Sequence, residues 1–173
     1  CLAMTAAVLE TGITPDMTAG LSLGEYAAIA TAGAMDIKTA LLLVRKRGLL
    51  MQNATKDGFG GMAAVLGLEP DVLEALLKNT DAVTVANYNC PGQIVITGEE
   101  TAVAAAGEAL KAAGARRVIP LKVSGPFHCE LLKGAGEKLG QELEKVEIQS
   151  FTVPYVTNVT AQYVTGPEQV KEL

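Results

Sequence analysis

Residues 17–26 read MTAGLSLGEY, and this stretch decides the fold of the chain. A short β-prone run precedes Ser22, and residues 23–32 follow it with apolar side chains at helical spacing. The glycines at positions 20 and 24 allow the backbone to turn sharply between the two elements. The stretch therefore predicts a strand at 17–19, a tight turn and a helix, which is a local order typical of α/β folds.

The segments around this stretch extend the same pattern. An alanine-rich helix is predicted for residues 2–11, and Asp36 is placed to cap a second helix that runs to about Met51. Nearer the C-terminus, residues 131–146 predict a helix and residues 151–157 a strand able to rejoin the main sheet. We assign residues 1–60 and 124–173 to one large α/β domain.

The middle of the chain has a different pattern, in which short β-prone runs alternate with predicted helices. Four short β-prone runs are expected at residues 62–66, 83–88, 93–97 and 117–121, with helices at 69–77 and 100–113. The order β-α-β-β-α-β is that of the split βαβ, or ferredoxin-like, unit. We expect residues 61–123 to form such a subdomain, inserted in the larger domain.

Composition narrows the class of protein. Hydrophobic residues make up 49% of the 173 residues, which is enough apolar material for a globular core. The net charge of −5 argues against nucleic acid as the main partner, because binding a phosphate backbone needs clustered Lys and Arg. Charged side chains interrupt the longest apolar runs, so we expect a soluble protein without a membrane segment.

The three cysteines have neither the spacing of a metal site nor the density of a disulfide scaffold. Free thiols in a reducing cytoplasm are the simplest interpretation, so the sequence indicates a cytoplasmic protein without a bound metal. Cys90 and Cys129 lack an activating motif, and we expect both to be inert thiols rather than nucleophiles.

Ser22 is the first candidate for chemistry. A Gly-x-Ser-x-Gly turn between a strand and a helix fits a nucleophile elbow, in which the serine hydroxyl is exposed beside the helix N-terminus. The backbone N–H of Leu23 is then one donor of an oxyanion hole for acyl transfer. The alternative is a serine that only caps the helix, and the motif by itself favours neither interpretation. The strand-turn-helix context favours catalysis.

His128 is the only histidine in the sequence, so no other histidine of this chain can serve Ser22 as a base. It follows the turn-forming residues 124–127, and functional groups are often carried on such loops. The alternative is a structural histidine at a helix start. No acidic residue is its immediate neighbour, so we expect its orienting partner to be a backbone carbonyl or an amide such as Asn158, in a Ser–His dyad.

Arg45, Lys46 and Arg47 form a basic cluster near the end of the second predicted helix. Most such clusters form a solvated helix face, which also opposes the helix dipole. Residues 45 and 47 point to different sides of a helix, however, so Arg47 can face inward while its neighbours face water. A buried arginine in an acyl-transfer site binds a carboxylate through paired hydrogen bonds.

Five blocks of this sequence resemble those of the malonyl-CoA:acyl-carrier-protein transacylases and the acyltransferase domains of fatty-acid and polyketide synthases. The blocks are GLSLGEY at 20–26, RGLLMQ at 47–52, NCPGQIVITG at 89–98, GPFH at 125–128 and NVT at 158–160. They follow the order and spacing of the family and run through nearly the whole chain, which makes the resemblance specific.

The resemblance implies an α/β-hydrolase-like large domain that carries Ser22, with a ferredoxin-like insert. It implies that Ser22 takes the acyl group and that His128 is the base. Arg47, Phe127 and Asn158 are then substrate-binding residues, and Arg47 pairs with the malonyl carboxylate. The implied partners are malonyl-CoA and acyl carrier protein, in fatty-acid or polyketide synthesis. Coenzyme A and phosphopantetheine serve as substrate carriers, and no metal or other cofactor is implied.

The sequence departs from the family at Leu21, where a histidine is usual. It also lacks the family's N-terminal Gly-Gln-Gly loop, whose glutamine supplies a second oxyanion donor, and a C-terminal section that helps to hold the histidine. The sequence therefore resembles the middle of such an enzyme. Two other functions stay open: a serine esterase or thioesterase with the same nucleophile and base, and a non-catalytic fragment that docks a carrier protein.

Overall fold

The structure is a computed structural model, and it describes residues 1–54, 60–80, 82–123 and 125–172. The chain is a mixed α/β protein that divides into two compact units, Cys1–Gly48 with Glu137–Leu173 and Leu49–Gly136. No helix in the described ranges has both the length and the apolar character needed to cross a bilayer.

The helices and strands follow the predicted order closely. In chain order they are α1 (Leu2–Leu9), β1 (Thr18–Ala19), α2 (Leu23–Thr31), α3 (Ile37–Ala54), β2 (Gly61–Leu66), α4 (Pro70–Leu77), β3 (Val83–Cys90), β4 (Gln93–Gly98), α5 (Glu100–Ala112), β5 (Arg117–Pro120), α6 (Lys133–Leu143), β6 (Tyr155–Val156) and α7 (Gln169–Glu172), with a 3₁₀ turn at Glu130–Leu132.

In the first unit, the strand before Ser22 pairs with a strand near the C-terminus. β1 and β6 run parallel, with Thr18 opposite Tyr155 and Ala19 opposite Val156. Parallel strands cannot be joined by a tight turn, and the connection here contains the whole second unit. The pairing therefore brings the C-terminal segment to the strand that leads into Ser22.

Small side chains allow close packing in the first unit. Four of the ten buried residues of its core are alanines, and an alanine face lets a helix approach its neighbours closely. The buried core consists of Ala28, Ile29, Ala32, Ala34, Met35, Ala40, Leu43, Tyr155, Val164 and Val170. At the start of α3, Asp36 Oδ1 accepts the Thr39 N–H at 2.9 Å, as predicted for a cap.

The C-terminal prediction of a strand over 151–157 was wrong in extent, since only Tyr155–Val156 is a strand. The Thr152 N–H donates to the Ala32 carbonyl at 2.7 Å, and the Gln149 N–H donates to the Ala34 carbonyl at 2.7 Å. This segment therefore bonds to the chain at the end of α2 instead of extending the sheet. The helix predicted over 131–146 is also shorter in the structure, since its first residues form a 3₁₀ turn and α6 ends at Leu143.

The second unit is built on one antiparallel sheet. Its strand order is β3-β4-β2-β5, and every neighbouring pair is antiparallel. The elements alternate as β-α-β-β-α-β, which agrees with the order predicted from the sequence. Side chains of α4 and α5 share one apolar core with the sheet, and its most buried members are Val65, Leu73, Ile96 and Leu110.

Candidate active site

Ser22 lies at the junction of β1 and α2 with φ 51° and ψ −108°. This region is uncommon for a residue with a Cβ, and such strained residues cluster at functional sites. The turn is also tight, because a Cβ added at Gly20 would lie 2.2 Å from the carbonyl group of Gly24. The sequence Gly-x-Ser-x-Gly therefore folds as a sharp elbow whose first glycine cannot be replaced without moving the backbone.

The hydroxyl of Ser22 does not cap α2, since the helix has no hydrogen bond from its N-cap side chain. Instead, Arg47 donates from Nη2 to Ser22 Oγ at 2.8 Å. The interpretation of Ser22 as a simple helix cap is therefore wrong. The hydroxyl is held beside a cation, 25 residues along the chain, in a partly buried position.

Leu23 opens α2, and its N–H donates to no oxygen among the residues that the structure describes. A helix N-terminus presents such N–H groups together with the positive end of the helix dipole. This position is suited to an oxygen that becomes negative during a reaction at Ser22. The role of Leu23 as an oxyanion donor stays a prediction.

The three basic residues of α3 differ in their surroundings. Arg47 is partly buried, whereas Arg45 is exposed. Lys46 is exposed and pairs with Glu142 at 3.4 Å. Arg47 is thus less exposed than Arg45 and Lys46, as the sequence predicts. Burial raises the pKa of the Tyr26 phenol, and the nearby charge of Arg47 opposes that rise.

Asn158 lies beside Ser22 through a contact that the sequence did not reveal. Its Oδ1 accepts the backbone N–H of Ser22 at 2.9 Å. From the sequence we expect Asn158 to orient the histidine or to bind the substrate, and both roles stay predictions. The structure adds a different one, in which the amide oxygen holds the peptide of the strained elbow.

Glu25 is a member of the site that sequence analysis missed. Its Oε1 accepts hydrogen bonds from the Tyr155 hydroxyl, from Thr157 Oγ1 at 3.0 Å and from the Asn158 N–H at 2.8 Å. Tyr155 and Thr157 are each 2% exposed, so their two hydrogen bonds to Glu25 are shielded from water. Burial raises the pKa of Tyr155 far above the usual value, and its hydrogen bond to Glu25 adds to this. The Ser22-x-x-Glu25 spacing was the available signal, because it is that of a capping box.

His128 and Phe127 belong to the second unit. His128 is exposed with φ 60°, which is again uncommon for a residue with a Cβ. Its loop is anchored by Pro126, which is fully buried. A Cβ added at Gly60 would lie 2.4 Å from the Pro126 ring, so the ring packs directly against that glycine. The pairing of His128 with Ser22 and the substrate contact of Phe127 stay predictions.

The cysteines show no sign of activation. Cys1 and Cys90 are exposed and Cys129 is partly buried, and all three are free thiols. The Cys129 thiol donates to the Pro126 carbonyl at 3.1 Å, which gives it a local structural partner. Within the described ranges, no three His, Cys, Asp or Glu side chains are grouped as a metal site would require.

The arrangement around Ser22 is suited to acyl transfer involving an anionic acyl group. A strained serine at a helix N-terminus is suited to act as a nucleophile, and this role of Ser22 stays a prediction. The guanidinium of Arg47 lies within hydrogen-bonding distance of that nucleophile, so an acyl group bound to Ser22 would bring its own substituents close to a fixed positive charge. A carboxylate removed from water requires such a partner.

Comparison with known proteins agrees with this chemistry. Residues 2–172 match the family model described as an acyl transferase domain. The chain is 50% identical over 170 residues to the malonyl CoA-acyl carrier protein transacylase of Bacillus subtilis, and the match covers 94% of this chain and 53% of that protein. The chain thus spans about half the length of the curated relatives it matches.

Two solved structures give the same result. The MCAT from Streptococcus pneumoniae is 46% identical with a TM-score of 0.92, and the match covers 99% of this chain and 57% of that one. A malonyl-transacylase solved in complex with its type II PKS acyl-carrier protein is 41% identical with a TM-score of 0.94, over 98% of this chain and 56% of that one.

Proposed function

Because the chain belongs to the acyl transferase domain family, we propose that it carries the reaction centre for moving a malonyl group from coenzyme A to the phosphopantetheine thiol of an acyl carrier protein. The names of its relatives support this substrate pair. The observation that carries the proposal is the 2.8 Å hydrogen bond from Arg47 to Ser22 Oγ. A cation at that place favours an acyl group that ends in a carboxylate.

The proposed reaction has two steps. Ser22 Oγ attacks the thioester carbonyl of malonyl-CoA while His128 accepts the hydroxyl proton. The N–H of Leu23 donates to the carbonyl oxygen as it becomes negative. The C–S bond then breaks, coenzyme A leaves as a thiol with the proton from His128, and the malonyl group remains on Ser22 as an ester. The phosphopantetheine thiol attacks this ester, and the proton movements that follow restore the Ser22 hydroxyl.

Arg47 has a different partner before and after malonyl binds. Without substrate its guanidinium donates to the Ser22 hydroxyl, a neutral acceptor. A malonyl carboxylate is a charged acceptor that can take two parallel bonds from the same guanidinium, so it competes successfully for Arg47. Arrival of the correct acyl group thereby releases the nucleophile. We assign Phe127 to the wall of the same substrate site.

We also propose that the chain consists of two domains of known type. Parallel pairing of β1 with β6 beside a nucleophile elbow supports an α/β-hydrolase-like domain over residues 1–60 and 124–173. The strand order β3-β4-β2-β5 supports a ferredoxin-like subdomain over residues 61–123. Three free thiols favour a reducing cytoplasm, and the reaction needs no metal because the acyl group arrives on a thioester.

The test is to incubate the protein containing this chain with radiolabelled malonyl-CoA and to map the label. We expect label on Ser22, its transfer to an added acyl carrier protein, and no label on a Ser22→Ala variant. Label that is released to water at the same rate with or without carrier protein would identify a thioesterase. Carrier-protein binding without label on Ser22 would identify a non-catalytic docking fragment.

A further inference from the structure

Glu25 stands where a helix normally completes its own N-terminal cap, but the structure uses it differently. Ser22 is the N-cap of α2 and Glu25 is the third helical residue, the spacing at which a glutamate reaches back to the N-cap N–H. In this chain the Ser22 N–H donates to Asn158 Oδ1 at 2.9 Å, and Glu25 instead accepts the Asn158 N–H at 2.8 Å. Glu25 is therefore linked to the Ser22 N–H only through Asn158, which lies 133 positions after Glu25 in the sequence. We call these two hydrogen bonds the relay.

The relay is fixed at its far end. One carboxylate oxygen of Glu25 gathers donors from Tyr155, Thr157 and Asn158, which lie in and just after β6. The side chains of Tyr155 and Thr157 are almost wholly buried, so their hydrogen bonds face little competition from water. Removing a partly buried carboxylate that three donors share leaves the buried Tyr155 and Thr157 donors unsatisfied, which costs more than the loss of a typical surface hydrogen bond.

The near end of the relay is the strained peptide of Ser22. A residue with a Cβ is strained in such a region, and the conformation persists only when surrounding contacts determine it. The Asn158 amide is one such contact, because it fixes the Ser22 N–H in the orientation that φ 51° requires. Asn158 is itself exposed, so its position depends on what holds its backbone.

A relay also separates negative charge from the nucleophile. A direct bond from Glu25 to the Ser22 N–H would place a carboxylate beside the Ser22 elbow, where the proposed function brings the malonyl carboxylate and a developing oxyanion. The repulsion between like charges rises as their separation falls. The neutral Asn158 amide makes the same hydrogen bond without that charge.

We propose that Glu25 is a positioning residue that, through Asn158, holds Ser22 in its reactive backbone conformation. Glu25 does not contact the substrate. The kinetic part of this inference rests on the proposed malonyl transfer, whereas the geometric part concerns Ser22 alone.

Two readouts test the inference on the protein containing this chain. The first is the rate at which malonyl-CoA loads Ser22, with the dissociation constant of malonyl-CoA measured in parallel. The second is the rate at which a fluorophosphonate labels Ser22, a reaction that depends on the serine and not on the malonyl group. Glu25→Ala and Asn158→Ala should each slow both reactions by up to about 100-fold, the cost of a small misplacement of a reacting group. The dissociation constant should change little in Glu25→Ala.

The double variant gives the decisive comparison. If Glu25 acts through Asn158, then Glu25→Ala combined with Asn158→Ala should be no slower than the slower single variant, whereas independent effects would multiply. Glu25→Gln keeps an acceptor oxygen and the shape of the side chain, so it should recover most of the rate. The exposed Glu147→Ala is the matched control and should leave both rates unchanged.

The outcomes separate this inference from the proposed function. Wild-type rates in Glu25→Ala, or multiplied losses in the double variant, would overturn the relay even if malonyl loading is normal. A wild-type protein that never loads malonyl would overturn the proposed function, and slower fluorophosphonate labelling of the Glu25 variants would still support the relay. If Glu25→Ala fails to fold, Asn158→Ala supplies the test, and a wild-type rate of Ser22 labelling in that variant would overturn the relay.

Discussion

Arg47 and Ser22 share a hydrogen bond of 2.8 Å between a guanidinium Nη2 and a serine Oγ, although 25 residues separate them in the sequence. The bond joins the elbow after β1 to the interior side of α3. It brings the proposed nucleophile and the proposed carboxylate clamp to one place, within a single compact unit. The expected properties of the enzyme follow from this pair and from the groups that hold it.

Malonyl transfer should follow ping-pong kinetics, because the malonyl ester of Ser22 forms and coenzyme A leaves before the carrier protein reacts. Double-reciprocal plots at several fixed concentrations of carrier protein should give parallel lines. Intersecting lines would indicate a ternary complex and direct transfer, which the ester intermediate does not allow.

Replacing His128 should lower the rate of Ser22 acylation by roughly 10²–10⁴-fold, the usual contribution of a positioned general base. His128 has φ 60°, a conformation that asparagine adopts more readily than most residues, so His128→Asn removes the base while suiting the backbone. Stopped-flow loading with malonyl-CoA measures the rate. If His128 is structural instead, His128→Ala should unfold at a lower temperature than the wild type. A folded His128→Asn should then keep the wild-type rate of Ser22 acylation.

The acylation rate should also depend on pH. An imidazolium cannot accept the Ser22 proton, so the rate should fall as the pH drops through the range where histidine titrates, between about 5 and 8. Single-turnover loading at each pH isolates this step from product release. A flat profile over that range would exclude His128 as the base.

The sequence predicted the parts of the structure that depend on neighbours along the chain. The elbow at Ser22 follows from two glycines four positions apart, and the Asp36 cap follows from its position before an apolar run. Helical geometry predicts that Arg45 and Arg47 lie on different sides of the helix, and in the structure Arg47 is partly buried and Arg45 is exposed.

The contacts that sequence analysis missed join distant segments. Nothing near Glu25 indicates that Tyr155 and Asn158 will donate to it, because those contacts depend on the pairing of β1 with β6. The strand over 151–157 was overpredicted for a related reason. A β-prone composition does not specify whether the Thr152 N–H will meet a strand or the Ala32 carbonyl after α2.

Tyr155→Phe should destabilise the protein by roughly 1.5–3 kcal/mol, since it removes a buried hydrogen bond to a charged group. The hydroxyl donates to Glu25 and the residue is 2% exposed, so water does not replace the lost donor easily. Urea unfolding at neutral pH measures the change. Tyr163→Phe is the control, because Tyr163 is exposed, and equal losses in both variants would contradict the buried bond.

The raised pKa of Tyr155 also leads us to expect a lower free energy of unfolding at high pH. The pKa of Tyr155 is raised in the folded protein, so its contribution is complete below the usual tyrosine value near 10. Above that pH the unfolded chain ionises first, and the contribution falls as the pH rises. The free energy of unfolding should therefore decline above about pH 10 in the wild type and less steeply in Tyr155→Phe. Identical slopes would show that Tyr155 is not the group responsible.

Arg47→Ala should shift the preference of the enzyme from malonyl-CoA toward acetyl-CoA. A free carboxylate distinguishes the two donors, and burying it requires a fixed cation. Loss of a hydrogen bond to a charged group costs roughly 1.5–3 kcal/mol, and at about 1.4 kcal/mol per decade this corresponds to roughly 10–150-fold in favour of acetyl. Competition between the two labelled donors for Ser22 of the same variant measures the ratio directly.

Arg45→Ala is the matched control for this switch, because Arg45 lies on the same helix and carries the same charge but is exposed. It should keep the malonyl preference, since a solvated arginine two residues away does not reach Ser22. In Arg47→Ala the serine also loses the donor to its Oγ, so acetyl loading should not fall and can rise. Equal weakening of both donors in Arg47→Ala, or a switch in Arg45→Ala, would show that the carboxylate binds elsewhere.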